Sequence, residues 1–545
     1  MTENRQKRMN QNFIYEGNKY WKEEITEGLV RQKKAGKNLW IYPEIPGSLY
    51  ESLTRTARLW PEKICLIDDD GEECTYAGFL KLVNGFSSFL SRQYQIRPGE
   101  HVGVLLYNSI EYCVCIYALN RLGAVMVPFS TKYKRQETES LIAKADLSGI
   151  IFHQDFAEWF REEDKNGFRI CLDREQMKFC MHLTGLQSRK PEPEDEAIMM
   201  FTSGTTSRSK GVMLRNYNIM HAVAVYQKIF CITQQDTTVL PVPAYHITGL
   251  VAVIGLFVQA GGCIRLHKFF SADRVLREMQ EHKVTFFHAS PTVFSMLLEK
   301  KEKYPAITEL RTLACGSGNM PISKIKELKK WIPSMKFHTV YGLTETSSPA
   351  TIFPGDAAEG KHQGSAGCVV PGLEIKIGDT EDTVFGNCKI GTILIRGTSV
   401  TEGYYKREDI HLTDGWLDTG DLGYFDEDGY LYIADRKKDM INRGGEKVCS
   451  YDVENAMYGI KGIKDAAVVG IPDEVYGEVP AAMVVPEKDQ ILKEEDIRRY
   501  LKTRLAKFQI PAVIVFTGSL PLTPNMKTDK NKIRQLLKEE KHETS

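Results

Sequence analysis

The feature that most restricts the fold of this 545-residue chain is the order of its apolar texture. From residue 48 onward, helical stretches such as 48–59 and 76–93 alternate with short apolar runs at 102–107, 124–128 and 148–152. Such alternation predicts βα units and mostly parallel sheets. A polar, Pro-rich segment at 187–196 precedes the apolar run 197–201, as a linker precedes a strand, and βα alternation then continues to about residue 337. After Gly364 the texture changes. Residues 367–377, 391–396 and 430–434 read as short strands between Gly- and Asp-rich turns, which predicts a small β-rich subdomain. Beyond Asp439 the order becomes a helix near 452–458, strands at 465–471 and 481–485, a helix at 494–506, a strand at 513–516 and a charged helix from Asn531.

The expected fold class is therefore α/β. A large N-terminal domain of βα-rich subdomains plus the β-rich subdomain would span 46–437, and a small α+β C-terminal domain 438–545. At about 150 residues per domain, this length suggests three or four folding units. Residues 1–45 read as an N-terminal extension. Their first forty carry 9 Lys+Arg against 5 Asp+Glu, a helical arm or a solvated face.

Charge narrows the function classes. Lys+Arg and Asp+Glu both number 71, so an overall basic nucleic-acid or anionic-membrane binder is not expected. The 12 cysteines form no Cys-x-x-Cys pair and have no histidine at zinc spacing, and read as reduced thiols. The basic start is followed by no apolar run, and the apolar stretch 250–260 is far short of the roughly 20 residues a transmembrane helix needs. A cytoplasmic location is the expectation. Nothing in the sequence signals an oligomeric state.

One segment suggests chemistry. Residues 201–212 read Phe-Thr-Ser-Gly-Thr-Thr-Ser-Arg-Ser-Lys-Gly-Val, hydroxyl-rich and bounded by glycine. Hydroxyls, exposed backbone N–H groups and the Lys210 ammonium can all contact phosphate oxygens, and Gly204 permits close backbone approach. Walker A spacing is absent, so a P-loop kinase or GTPase is not expected. Taken alone, the segment could be a flexible polar turn. Glu345 could be a surface acid, Gly316-Ser317-Gly318 a tight turn, Lys527 a solvated lysine and His246 a packed core histidine.

Five segments together resemble the adenylate-forming superfamily, of the acyl-CoA synthetase or fatty-acid–CoA ligase type. They are 202–211, then Tyr341-Gly-Leu-Thr-Glu345, Trp416-Leu-Asp-Thr-Gly-Asp421, Asp435-Arg-Lys-Lys-Asp439 with Gly444-Gly445-Glu446-Lys447, and Pro521-Leu-Thr-Pro-Asn-Met-Lys527. They stand in the family's order, and the resemblance covers about residues 50–537. The resemblance implies that Thr202, Ser203, Gly204, Thr205, Thr206 and Lys210 hold the β- and γ-phosphates of ATP, with Thr344 near the α-phosphate. Glu345 would bind Mg²⁺, for which a hard carboxylate oxygen is suited. Gly316, Ser317, Gly318, Tyr341 and Gly342 would border adenine, Asp421 would contact the ribose, Arg436 would add a second ribose or a phosphate contact, and Lys527 would reach the carboxylate and α-phosphate. Thr344, Glu345 and Lys527 are thus the catalytic candidates. His246 would gate the acyl pocket, and Gly444 and Gly445 would border the CoA path. The terminal domain would be mobile, rotating about Lys438.

The chain departs from the family pattern at Ser207, Ser209, Asp435 and Met526, where Gly, Pro, Gly and Gly are usual. The implied reaction joins a small-molecule carboxylic acid to CoA through an acyl-adenylate, with ATP and CoA as cosubstrates. Two rivals stay open. One is an enzyme that loads a carrier protein; no acidic residue stands at 246 to meet an α-amino group, and no carrier-like segment follows Lys527. The other is a non-catalytic acyl or nucleotide sensor, against which the retained Lys527 argues. A luciferase-like monooxygenase shares the adenylation step, but the chain lacks a C-terminal peroxisomal address.

Overall fold

The computed structural model describes residues 13–34, 36–160, 167–183, 189–202, 209–385, 388–407, 412–488, 490–523 and 527–544. Alternating apolar runs and helices fold into two large sheets. In one, strands Val125–Pro128, His101–Leu105, Leu147–Phe152 and Phe168–Cys171 run parallel with Glu196–Phe201, and Gly211–Arg215 closes the edge antiparallel. In the other, Ile64–Ile67, Cys263–Leu266, Thr237–Leu240, Phe286–Ala289, Thr312–Cys315 and Lys336–Tyr341 run parallel, with short antiparallel strands at both edges.

Helices between these sheets have no polar face to spare. Ile110–Leu122 is buried at every position except Arg121, and Asn216–Phe230 is buried over most of its length. The apolar stretch that was too short for a membrane becomes the buried helical run Leu250–Gly255 and Leu256–Ala260. Among the described residues no helix is long and apolar enough to cross a membrane. Helix starts follow the sequence: Ser48, Thr75 and Ser109 each accept a backbone N–H of the first turn, a cap contributing about 1 kcal/mol.

The start of the chain differs from the helical arm expected. Tyr15–Glu16 pairs with Leu373–Phe385 at the edge of the β-rich sheet, and Val30–Lys34 forms a hairpin with Lys37–Ile41. Tyr15 is buried and stacks on Phe425 at 3.6 Å, and Trp21 Nε1 donates to Val369 O. Aromatic anchors outweigh the basic composition here, because burying each ring is worth about 1.5–3 kcal/mol.

The β-rich sheet holds Leu373–Phe385, Cys388–Gly397, Trp416–Phe425 and Leu431–Arg436 as antiparallel neighbours. Past it, a five-stranded sheet is built around the hairpin Ile463–Asp473 and Gly477–Pro486. Both faces are covered, as strand alternation shows: Ala466 and Val468 join one apolar cluster with helices Ser450–Met457 and Glu494–Lys502, whereas Ala467 and Val469 join Ile533 and Leu537 of helix Lys530–Thr544.

Candidate active site

A cavity of about 450 Å³ opens where the parallel strands end. Phe201, Ala289, Cys315 and Tyr341 are the last residues of their strands, and Thr202, Ser290, Gly316 and Gly342, which follow them, all line the cavity. Carboxyl ends of parallel strands are the general site for ligands in open α/β sheets, because each strand ends there in a loop free to carry chemistry. His246, Ser317, Thr344, Glu345, Arg436 and Lys527 complete the arrangement.

The phosphate-loop candidate is a hairpin connection between Glu196–Phe201 and Gly211–Arg215. At its base Thr202 N–H donates to Lys210 O at 3.0 Å, and Lys210 N–H donates to Thr202 Oγ1 at 3.3 Å. Ser203, Gly204, Thr205 and Thr206 lie outside the described residues. Lys210 is not on the cavity wall; its Nζ stands over the Tyr404 ring, 4.6 Å from the centroid. Tyr404 OH in turn donates to Glu345 Oε1 at 3.0 Å, orienting the carboxylate.

Asp421 is buried one layer behind the cavity. Tyr341 OH donates to its Oδ2 at 2.8 Å, and Arg436 Nε stands 3.2 Å from its Oδ1. Burial raises its carboxyl above the usual range, against the pull of Arg436 and Lys527. The geometry makes Asp421 the anchor that aims the Arg436 guanidinium into the cavity. Tyr341 likewise sits behind the wall, its phenol held far above its ordinary pKa by burial and by Asp421.

Lys527 arrives from the terminal domain. Its backbone N–H donates to Thr523 Oγ1 at 3.2 Å and Thr523 N–H donates to Lys527 O at 2.7 Å, closing a tight loop that presents the side chain. The ammonium opens onto the cavity rather than packing against protein. The enclosing cleft, followed by Arg436, still lowers it to about 8 against the pull of Asp421.

Behind this cavity lies a second, of about 290 Å³, between the large and terminal domains. Gly318 and Lys438 line it, and Arg436, Ser317 and Lys527 border both. Gly444 and Gly445 border neither. Their φ values of 59° and 95° form the hairpin turn between Ile441–Arg443 and Glu446–Val448, and a Cβ on Gly445 would meet nothing within 4 Å. In this orientation glycine answers to backbone conformation there, not to a chain passing close by.

Sequence reasoning missed two partners. Tyr404, which holds Glu345, carries no local signal. Asp435, read as a departure, accepts Ser450 N–H at 2.6 Å and Arg436 N–H at 2.8 Å, so it caps the first turn of helix Ser450–Met457 from the strand ahead of Lys438. Lys530 Nζ lies 2.9 Å from Glu454 Oε1 and donates to Ser450 Oγ at 2.6 Å, fastening the same corner. Cys315, Cys368 and Cys449 are buried with thiols pushed up by desolvation, as packing residues would be.

Mg²⁺ fits this donor set only as a companion of nucleotide phosphates. No group of three or more His, Cys, Asp or Glu side chains able to hold a metal exists among the described residues. One held carboxylate, Glu345, is what a phosphate-shared ion requires.

The family model of the AMP-binding enzyme matches residues 53–405, and that of the AMP-binding enzyme C-terminal domain matches 452–527. A 2-succinylbenzoate–CoA ligase of Bacillus licheniformis is 30% identical over 488 residues, covering 88% of this chain and 98% of that protein. The o-succinylbenzoate CoA synthetase structure from Bacillus subtilis with its acyl-adenylate intermediate is 28% identical, with TM-score 0.76, covering 89% of this chain and 97% of that one. The same enzyme with ATP and magnesium ion gives TM-score 0.77 at 28% identity, over 89% and 99%. The chain belongs to the AMP-binding enzyme family, the adenylate-forming class. Within it, the chain is an ATP-dependent, AMP-forming acid–thiol ligase, with ATP and CoA as cosubstrates and Mg²⁺ accompanying the nucleotide.

Proposed function

We propose that this acyl-CoA synthetase assembles its adenylating centre from two domains, residues 46–437 and 438–545, with Lys527 the residue that crosses between them. Convergence of Thr202, Thr344, Glu345, Arg436 and Lys527 on one cavity is the observation that supports this reading. Bringing a carboxylate onto an α-phosphate joins two anions, so cationic groups must already stand where charge accumulates. Lys527 neutralises the carboxylate and α-phosphate oxygens, while Arg436, aimed by Asp421, holds the ribose side. Thr344 donates to the α-phosphate. Thr202 and Lys210 open and close the loop that cradles the β- and γ-phosphates. Glu345 would hold Mg²⁺, which when bound would supply charge neutralisation for the departing pyrophosphate. Gly316–Gly318 and Gly342, with Tyr341 behind, border adenine, and His246 stands at the acyl wall. The thiol of CoA then displaces AMP from the acyl group.

The second step needs the cleft reopened. Lys438 is the hinge, and Gly444 and Gly445 come to the CoA path once the terminal domain has turned. Cysteines that are free and mostly buried among the described residues favour a cytoplasmic setting. Pyrophosphate release from a carboxylic-acid panel, with and without CoA, tests the proposal. Acid-dependent release without CoA, thioester only with it, and loss of release in Lys527→Ala are expected. Release independent of any acid, or unaffected by that substitution, would overturn it.

A further inference from the structure

The deep wall of the cavity carries a polar group with no partner among the described residues. His288 is on strand Phe286–Ala289, sharing its face with Phe286, and is 1% exposed. Among the described residues neither ring nitrogen has a hydrogen-bond partner. Its edge lies behind the Gly316–Ser317 turn, since a Cβ on Gly316 would stand 3.3 Å from His288 Nε2. Tyr226 OH and Ser348 Oγ hydrogen-bond to each other at 2.8 Å, and the Tyr226 ring meets His288 edge-on at 6.0 Å. Desolvation lowers the imidazole to about 3, so it is neutral in use, with one N–H donor and one nitrogen acceptor.

A buried, unpaired imidazole opposes folding, whereas a leucine in its place would not. The group lines the cavity that, on the acyl-CoA synthetase reading, receives the acid, so a partner can arrive with the substrate. We propose that His288 selects a carboxylic acid carrying an uncharged oxygen, a ketone or hydroxyl, on the part remote from its carboxylate. This rests on the acyl-CoA synthetase reading above. A plain hydrocarbon tail would leave the imidazole unpaired in the complex, and a fully charged group would find no opposite charge on it. The logic is that of any site built to hydrogen-bond a substrate group: the analogue lacking the group is rejected because the buried partner stays unpaired.

The test uses matched acids. Cyclohexanepropanoate is compared with its ring ketone, and hydrocinnamate with its para-hydroxy counterpart, in wild type, His288→Leu and His288→Gln. Two readouts are taken: kcat/KM for pyrophosphate release, and acid affinity by calorimetry with a non-hydrolysable ATP analogue present. Wild type is expected to favour the oxygenated member of at least one pair by about tenfold or more. His288→Leu should lose or reverse that ratio, and His288→Gln, which keeps a donor and an acceptor, should retain part of it. Equal or better use of the hydrocarbon member in both pairs, or an unchanged ratio in His288→Leu, overturns the proposal. Should no acid be turned over, the synthetase reading fails, while the calorimetric ratio still decides the role of His288.

Discussion

Lys527 gives the site a titration that can be read as a rate. The enclosing cleft, then Arg436, lower its ammonium to about 8, against the pull of Asp421. Only the charged form neutralises oxygen charge as carboxylate meets α-phosphate. The useful species is therefore complete below about pH 8 and is lost as pH rises through that value. Because kcat/KM reports the free enzyme, acid-dependent pyrophosphate release measured well below KM should fall above about pH 8, approaching tenfold per pH unit. Lys527→Arg stays charged throughout, so its alkaline limb should vanish even though the bulkier planar group lowers the plateau. Lys527→Ala should lose on the order of 10²-fold at every pH. Thioester formation from supplied acyl-adenylate should show no such limb. A wild-type profile flat to about pH 10, or an alkaline limb surviving unchanged in Lys527→Arg, would refute the reasoning.

The other predictions test the supports of the site. Asp421→Asn keeps shape but removes the charge that aims Arg436, and should raise the Kd for ATP about tenfold or more by calorimetry; unchanged affinity would remove Asp421 from nucleotide binding. Asp435→Gly deletes the acceptor for Ser450 N–H, a cap of about 1 kcal/mol, and should slow adenylation about fivefold relative to thioester formation. An unchanged ratio of the half-reactions would show that this corner does not hold the adenylating orientation. Lys438→Pro fixes φ near −65°, and should preserve acyl-adenylate formation without CoA while impairing thioester formation from supplied adenylate. Both at wild-type speed would remove the hinge from Lys438.

Most of the fold was legible because it is built from local patterns. Alternating helices and apolar runs from residue 48 became parallel sheets, and the change of texture after Gly364 became an antiparallel one. The start of the chain was not legible. Tyr15 and Trp21 find their partners at Phe425, Ile375 and Val369, and no local periodicity encodes a strand completed more than three hundred residues away. Much the same division runs through the site. Thr344, Glu345 and Lys527 belong to short ordered motifs and reach the cavity. Asp421 and Tyr341 belong to motifs too, yet stand behind it, because a motif specifies residue order and not depth from the cavity surface.

Asp435 and His288 show what such reading leaves behind. Each looks like an irregularity in sequence: an acid where glycine is usual, and a histidine in an apolar strand. Both are nearly fully buried, at 0% and 1% exposure, where a polar group is costly unless something answers it. For Asp435 the answer lies within the chain, in the backbone N–H groups of Ser450 and Arg436. For His288 the described residues hold none. Similar burial therefore covers two different cases, a residue that fastens two parts of the fold and one that has no partner among the described residues. That distinction depends on which atoms lie within hydrogen-bond reach, and only the folded chain brings them there.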